Sequence, residues 1–367
     1  GEREAQWTMI SAICNSFAGE SALAASQLSA ALNEEIAPAV DVLLARRFAG
    51  AAGNGRRGVE IEWEGVDELN PWQFALANAV GEPVPEALLR NTAPYYARAG
   101  ADAPMIALDR RAQYASRAGE EGIFSAQAMV DLYSEVYSDA AIGGAIGDRA
   151  RSLRSAYLAP DPAARVDAMQ ALWDETGDGD TYWAHVLTAY SAARVSPSAS
   201  LSDKADRLIA SMLSAGLDRA AMDWKSVVTS GSRAWALLAV ADPADRIAAR
   251  ADLDAFASDD DSDEARQTQF LIAALAGLDR ISAADQRAFE SNLSLGLGRQ
   301  SRWTRMIQRA AEVETPAMVA LLVGLGMQGD DWSQMTPLHL FHITAALQRV
   351  GLEAEARMIA AEAVARG

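Results

Sequence analysis

The sequence predicts an all-α protein of antiparallel helical hairpins stacked as an α-solenoid. An α/α toroid or a multi-helix bundle would use the same parts. Three observations carry this. Alanine, the best helix former, is abundant from end to end. Apolar residues recur at helical spacing between glycine and proline breaks. Several helix starts pair a capping side chain with proline at the first helical position, where the missing N–H would be orphaned anyway.

Residues 1–48 read as an N-terminal helical segment. Cys14 lies there among Trp7, Ile10, Ile13 and Phe17 and is expected to be a small core residue. Residues 49–70 depart from the helical pattern. The stretch 49–58 is small and glycine-rich and reads as a loop. Val59, Ile61 and Trp63 then alternate with Glu60, Glu62 and Glu64, the period of a half-buried strand. A lone strand cannot stand by itself. An extended loop pinned by Trp63 is therefore expected ahead of a small hairpin or a strand received from a partner.

Residues 71–367 form the helical body, continuous with the N-terminal helices. Starts are marked at Asn70-Pro71, Asp161-Pro162, Asp242-Pro243, Thr315-Pro316 and Thr336-Pro337, and Ser282 to Asp285 is a near capping box. Stripes such as Leu208, Ile209, Met212 and Leu213, or Leu271, Ile272, Leu275 and Leu278, run between breaks at glycines that include Gly122, Gly216 and Gly351. About twenty segments of roughly ten to seventeen residues result, and short links make sequence neighbours antiparallel. Most of the tryptophans, among them Trp173, Trp183, Trp224, Trp235 and Trp303, sit at helical positions and are expected in the core.

In the last pair, Leu340, Ile343 and Leu347 precede a turn at Gly351, followed by Gly351-Leu352-Glu353-Ala354-Glu355-Ala356, then Ala360 and Ala363. This hairpin resembles the tetratricopeptide repeat, in which small residues recur where two helices cross closely. The resemblance spans about one repeat and implies serially stacked hairpins. Two positions depart from it: Thr344 stands where the first helix usually has glycine, and Ala360 where the second usually has a bulky residue.

Composition narrows the function classes. The chain has 367 residues, 50% of them hydrophobic, and a net charge of -18. A negative surface disfavours nucleic acid and anionic membranes. Only Lys204 and Lys225 are lysines among 32 basic residues, and the arginines are scattered. With alanine dominance this suits a GC-rich bacterial genome. No apolar run reaches the ~18 residues of a membrane span. The longest, 234–241 and 317–327, read as buried helix segments. One cysteine excludes a disulfide framework and a thiolate zinc site. The chain begins with glycine, compatible with a removed signal segment, anchor or tag, so localisation stays open between bacterial cytoplasm and periplasm.

Four clusters contain residue types that can carry chemistry. Asp259, Asp260 and Asp263 fit the aspartate-rich motif of isoprenoid synthases, which holds magnesium against a diphosphate. No second such motif accompanies it, Asp330-Asp331 being only a pair, and a solvated loop beside a helix N-terminus explains it better. Asp174, Thr176, Asp178 and Asp180 alternate as in an EF-hand loop, but His185 replaces the bidentate glutamate, so an ordinary turn is expected. His339 and His342 share a helix face without a third ligand nearby in sequence and are expected to pack or cap. Gly143-Gly144-Ala145-Ile146-Gly147 lacks the strand and lysine of a phosphate loop and reads as a helix junction.

No catalytic residue, metal site or cofactor is assigned. The expected function is a non-enzymatic bacterial helical-repeat scaffold for a protein or peptide partner, without nucleic acid and without direct membrane insertion. The alternatives are a hydrolase or lyase with an acidic cavity in a helical toroid, or a cell-envelope component. The aromatic cluster Trp63, Trp72, Tyr95 and Tyr96, beside the irregular segment, is the expected partner-binding surface.

Overall fold

The computed structural model describes residues 2–52, 60–90, 92–175, 182–244, 246–329 and 332–367. They form an all-α structure of 21 α-helices and short 3-10 turns, with no strand among the described residues. The chain divides into two compact units, Gly1–Phe124 with Ala128–Asp148, and Ser125–Gln127 with Arg149–Gly367.

The first unit holds α1 (Glu2–Phe17), α2 (Ser21–Asn33), α3 (Ala39–Ala52), α4 (Pro71–Ala79), α5 (Glu86–Arg90), α6 (Pro94–Asp102), α7 (Leu108–Glu120) and nearly all of α8 (Ala126–Ser138). Helix α1 packs on α2 and α3 through Ala5, Met9, Ala12 and Ser16, the alanines and serine letting the helices approach around the fully buried Met9. Ser16 Oγ donates to the Ala49 carbonyl at 2.6 Å. That choice of face overturns the expectation for Cys14. It is exposed, on the opposite side with Trp7 (69% exposed) and Phe17 (62%).

Most of the expected loop at 49–58 lies outside the described residues, as does Val59, and α3 runs to Ala52. Ile61 is buried and Trp63 half-buried, without strand geometry, so the stretch is an extended connection.

The second unit holds most of α9 (Gly144–Leu158), then α10 (Pro162–Trp173), α11 (Tyr182–Ala192), α12 (Ala205–Ser214), α13 (Asp218–Met222), α14 (Arg233–Ala241) and α15 (Arg250–Asp259). It continues with α16 (Arg266–Gly277), α17 (Ala283–Asn292), α18 (Arg302–Glu312), α19 (Pro316–Gly326), α20 (Pro337–Arg349) and α21 (Glu353–Arg366). Sequence neighbours α11–α12, α18–α19 and α20–α21 pack as hairpins. Packing also reaches beyond neighbours, because α21 lies against α12, α14, α16 and α20.

The most buried helix is α16, fully enclosed from Phe270 to Leu275. Its last residue, Gly277, faces Thr344 on α20. A Cβ there would run into Thr344 Oγ1 and come within 2.7 Å of the Phe341 carbonyl. Thr344 is buried and turns its hydroxyl onto the Leu340 carbonyl at 2.9 Å. Threonine is thus tolerated at this crossing because the glycine sits on the facing helix.

Cap signals translate unevenly. Asn70 and Gln73 form a capping box on α4, and Asp161 and Thr336 accept from the first turns of α10 and α20. At Ser282 the hydroxyl accepts from the Asp285 N–H and donates to the Asp285 carboxylate. Thr315 precedes α19 but spends its hydroxyl on the Ala310 carbonyl. Asp242-Pro243 starts no helix. Asp242 ends α14, accepts from the Ala244 N–H and faces Lys225 (3.5 Å) and Arg246 (3.7 Å), and the next helix waits until Arg250.

Gly277→Ala should destabilise the protein by about 1–3 kcal/mol through overpacking of the α16–α20 crossing. Chemical denaturation at pH 7 measures this, and Gly277→Ala combined with Thr344→Ala should recover part of the loss.

Candidate functional site

The expected aromatic surface is partly core. Tyr96 is 5% exposed, meets Phe74 edge-on at 4.8 Å and donates to the Leu69 carbonyl at 3.3 Å. Burial, with Tyr95 beside it, pushes its hydroxyl up to about 12. Trp72 is half-buried and directs its indole N–H to the Asp41 carbonyl at 3.4 Å. Trp63 is half-buried, and its Nε1 is enclosed without a hydrogen-bond partner. Tyr95, stacked on Tyr96 with centroids 4.5 Å apart, is 60% exposed. Of the four, it alone shows most of its ring to solvent.

The acidic run 259–264 has a local use. The Asp260 carboxylate accepts from Ser262 N–H (3.0 Å) and Oγ (2.5 Å), and from Thr268 N–H (2.7 Å) and Oγ1 (2.5 Å). Ser262 Oγ in turn accepts from the Gln267 N–H at 3.0 Å. Together they satisfy amides in the first turn of α16, where a negative charge is favoured. Burial raises the Asp260 pKa, but these hydrogen bonds outweigh it and hold the carboxyl below its ordinary range. Asp259, Asp261, Asp263 and Glu264 are exposed.

Of the EF-hand-like turn, residues 176–181 lie outside the described residues. Asp174 pairs with Arg207 at 2.7 Å, and His185 is on α11, stacked against Trp173. Asp330 and Asp331 are also outside. His339 Nδ1 lies 2.7 Å from Thr336 Oγ1, and its ring packs on Trp303. His342 Nδ1 lies 3.3 Å from Gln308 Nε2, and burial lowers the pKa of both histidines. No group of three metal-ligating side chains occurs among the described residues. The glycines at 143–147 begin α9.

The α18–α19 hairpin exposes a run of large apolar side chains, Met306, Met318, Leu321 and Leu325. From Pro316 to Met327 no side chain is polar, and this was the mark of a buried segment. The structure corrects it. Val319, Leu322 and Val323 are buried, while Met318, Leu321 (71% exposed) and Leu325 face solvent at i, i+3 and i+7. On α18, Thr304, Ile307, Ala310 and Ala311 are buried, while Arg302, Arg305, Met306 and Arg309 are exposed.

The two helices are locked antiparallel. Trp303 donates from Nε1 to the Leu322 carbonyl at 2.9 Å, and its ring fills the space where a Cβ on Gly326 would stand. Ser301 and Thr304 form a capping box that starts α18. Arg309 pairs with Glu312 at 3.2 Å, whereas Arg302 and Arg305 have no carboxylate partner among the described residues. One hairpin of a strongly acidic chain thus carries exposed arginines on α18 and exposed aliphatic side chains on α19. The pattern Arg302, Arg305, Arg309 was the legible signal, since it marks the outward side of α18.

Compared with known proteins, the chain matches no family model, no curated protein and no solved structure.

Tyr96→Ala should cost about 3–5 kcal/mol, as for other buried aromatic truncations, whereas Tyr95→Ala should stay within roughly 0.5 kcal/mol. Thermal unfolding of both variants checks the division between core and surface. Asp260→Asn should lower stability by about 1–3 kcal/mol at pH 7. A carboxyl held low in the folded state stabilises above its unfolded pKa of ~3.9, and that share is lost as pH falls through the folded value. Urea unfolding of wild type and variant should therefore converge as pH falls below the unfolded value and through the lowered folded one.

Proposed function

We propose that the chain is a non-enzymatic, helical-repeat-like bacterial scaffold that engages a protein partner through the α18–α19 hairpin. The observation that carries this reading is the pairing of exposed Met318, Leu321 and Leu325 with exposed Arg302, Arg305 and Arg309 on one hairpin. Contiguous apolar surface rimmed by charge marks interaction sites, since leaving it in water costs free energy without any structural return.

The surface fits an amphipathic helix of the partner whose apolar stripe is bordered by Asp or Glu. Its i, i+3 and i+7 side chains would interleave with those of α19 while its acids meet the arginines of α18. A protein is favoured over an anionic bilayer because the net charge of -18 opposes approach to a negative lipid surface. Serial hairpins such as α11–α12, α18–α19 and α20–α21 support the repeat-like reading, and the Arg-over-Lys composition supports bacterial origin.

Selection of a displayed helical-peptide library on the folded protein should enrich peptides with an apolar stripe bordered by acids. Their affinity should fall roughly tenfold or more for Leu321→Glu and for Arg305→Glu. Enrichment of basic peptides, or affinity unchanged by both substitutions, overturns the reading. So does co-sedimentation with phosphatidylserine-containing vesicles that exceeds peptide binding and is lost in the same variants.

A further inference from the structure

On the second unit, away from the hairpin, α11, α12, the start of α14, the Trp332 turn and the end of α21 wall a cleft of about 450 Å³. Three arginines line it, and each is held differently. Arg207 pairs with Asp174 at 2.7 Å and lies over the Trp173 ring at 4.9 Å. Arg366 pairs with Glu362 at 2.7 Å and lies over Tyr182 at 4.3 Å. Arg233 is exposed, donates to the Ala365 carbonyl at 2.5 Å and has no carboxylate partner among the described residues.

His185 is held neutral mainly by its burial. Burial, then Arg207 and Arg233, push its pKa down to about 3, so the ring is neutral at physiological pH. Its Nδ1 is enclosed without a partner, and the half-buried ring lines the cleft. Among the described residues, Asp206 is the one acidic side chain on the wall of this cleft, and it makes no ion pair with these arginines.

The cleft continues into a second cavity of about 370 Å³ that shares Tyr182, Ala210 and Ala365 with it. That cavity is lined mainly by apolar side chains, including Leu213, Met358 and Ile359. The combined groove is thus rich in arginine at one end and mainly apolar at the other, where Glu362, paired with Arg366, is the one charged side chain among the described residues. Each part falls within the size range of small-molecule sites, in which a few placed polar groups orient a mostly apolar ligand.

We infer that this groove binds an organic carboxylate with an apolar body, its carboxylate at Arg233 and Arg207 and its body along Leu213, Met358 and Ile359. A guanidinium presents paired donors to a carboxylate. Asp206 disfavours a doubly charged phosphate at the same end. The carboxylate is either that of an acyl chain or that of a peptide C-terminus, and the two are separable by probe.

Isothermal titration of the full chain at pH 7 tests it with octanoate, N-acetyl-leucyl-leucine, the amides of both, and inorganic phosphate. Binding of octanoate assigns the acyl source, and binding of the dipeptide assigns the peptide source. In either case the matching amide should bind at least about tenfold more weakly. Arg233→Gln should weaken the acid by a similar factor, and so should Met358→Lys. Arg233 is exposed, so its variant should stay folded, which circular dichroism checks, and Arg233→Lys should be intermediate. The inference fails if neither acid binds at millimolar concentration, if amides match acids, if phosphate binds as tightly as the acids, or if folded Arg233→Gln keeps full affinity.

Discussion

How closely α16 can approach α20 governs the second unit. Gly277 leaves no Cβ at the crossing, and Thr344 fills that space while returning its hydroxyl to its own helix. Helix α21 then closes on both through Ala356, Ala360, Ala361 and Ala363, which are all buried and too small to hold the backbones apart. Close approach of this kind replaces the bulky interdigitation of a leucine-rich core. Its stability comes from many short-range contacts, each small and lost with a modest change in separation. The departures from the tetratricopeptide pattern at Thr344 and Ala360 belong to this geometry, since the small residue has moved across the interface.

In each unit some helices have a face with nothing to pack on. In the first, α1 buries Ala5, Met9, Ala12 and Ser16 and leaves Trp7 and Phe17 outside. Helix α19 buries Val319, Leu322 and Val323 and leaves an equally apolar side in water. On an otherwise acidic surface, an apolar outer face beside unpaired arginines is costly for solubility and has no packing role. This contrast separates α19 from the Phe270–Leu275 stretch of α16, which is equally apolar but enclosed on every side.

Much of the fold was legible because caps and breaks act locally. Asn70, Asp161 and Thr336 bond to amides two or three residues away, and such geometry is written in the sequence. Asp242-Pro243 misled because the same pair can close a helix as readily as open one, and ion pairs with Lys225 and Arg246 hold it in that role. Burial was less legible. Periodicity shows which residues share a face, but in α19 no polar residue marks the outer one, and in α1 both faces are apolar. The cleft was invisible for another reason: His185, Arg207, Arg233 and Arg366 come from four helices, with no spacing to connect them. The acidic run was rightly read as a helix-terminus feature, although the hydrogen bonds that fix Asp260 depend on the bend after α15 and could not be foreseen.

The near-absence of lysine now has a structural meaning. Arg207, Arg366, Arg149, Arg250 and Arg266 each lie over an aromatic ring, and several also pair with a carboxylate. A planar, weakly hydrated guanidinium can stack and bond at the same time, as an ammonium cannot. The charge of these arginines is thereby absorbed into structure, while the carboxylates, 50 against 32 basic residues, dominate the long-range field. Beyond the Debye length of about 8 Å that field is screened, so an acidic ligand meets the local arginines only near contact. Recognition at Arg302 and Arg305, or at Arg233, therefore depends on short-range geometry rather than on steering. The net charge describes what the molecule repels at a distance, and the few unpaired arginines describe what it can hold.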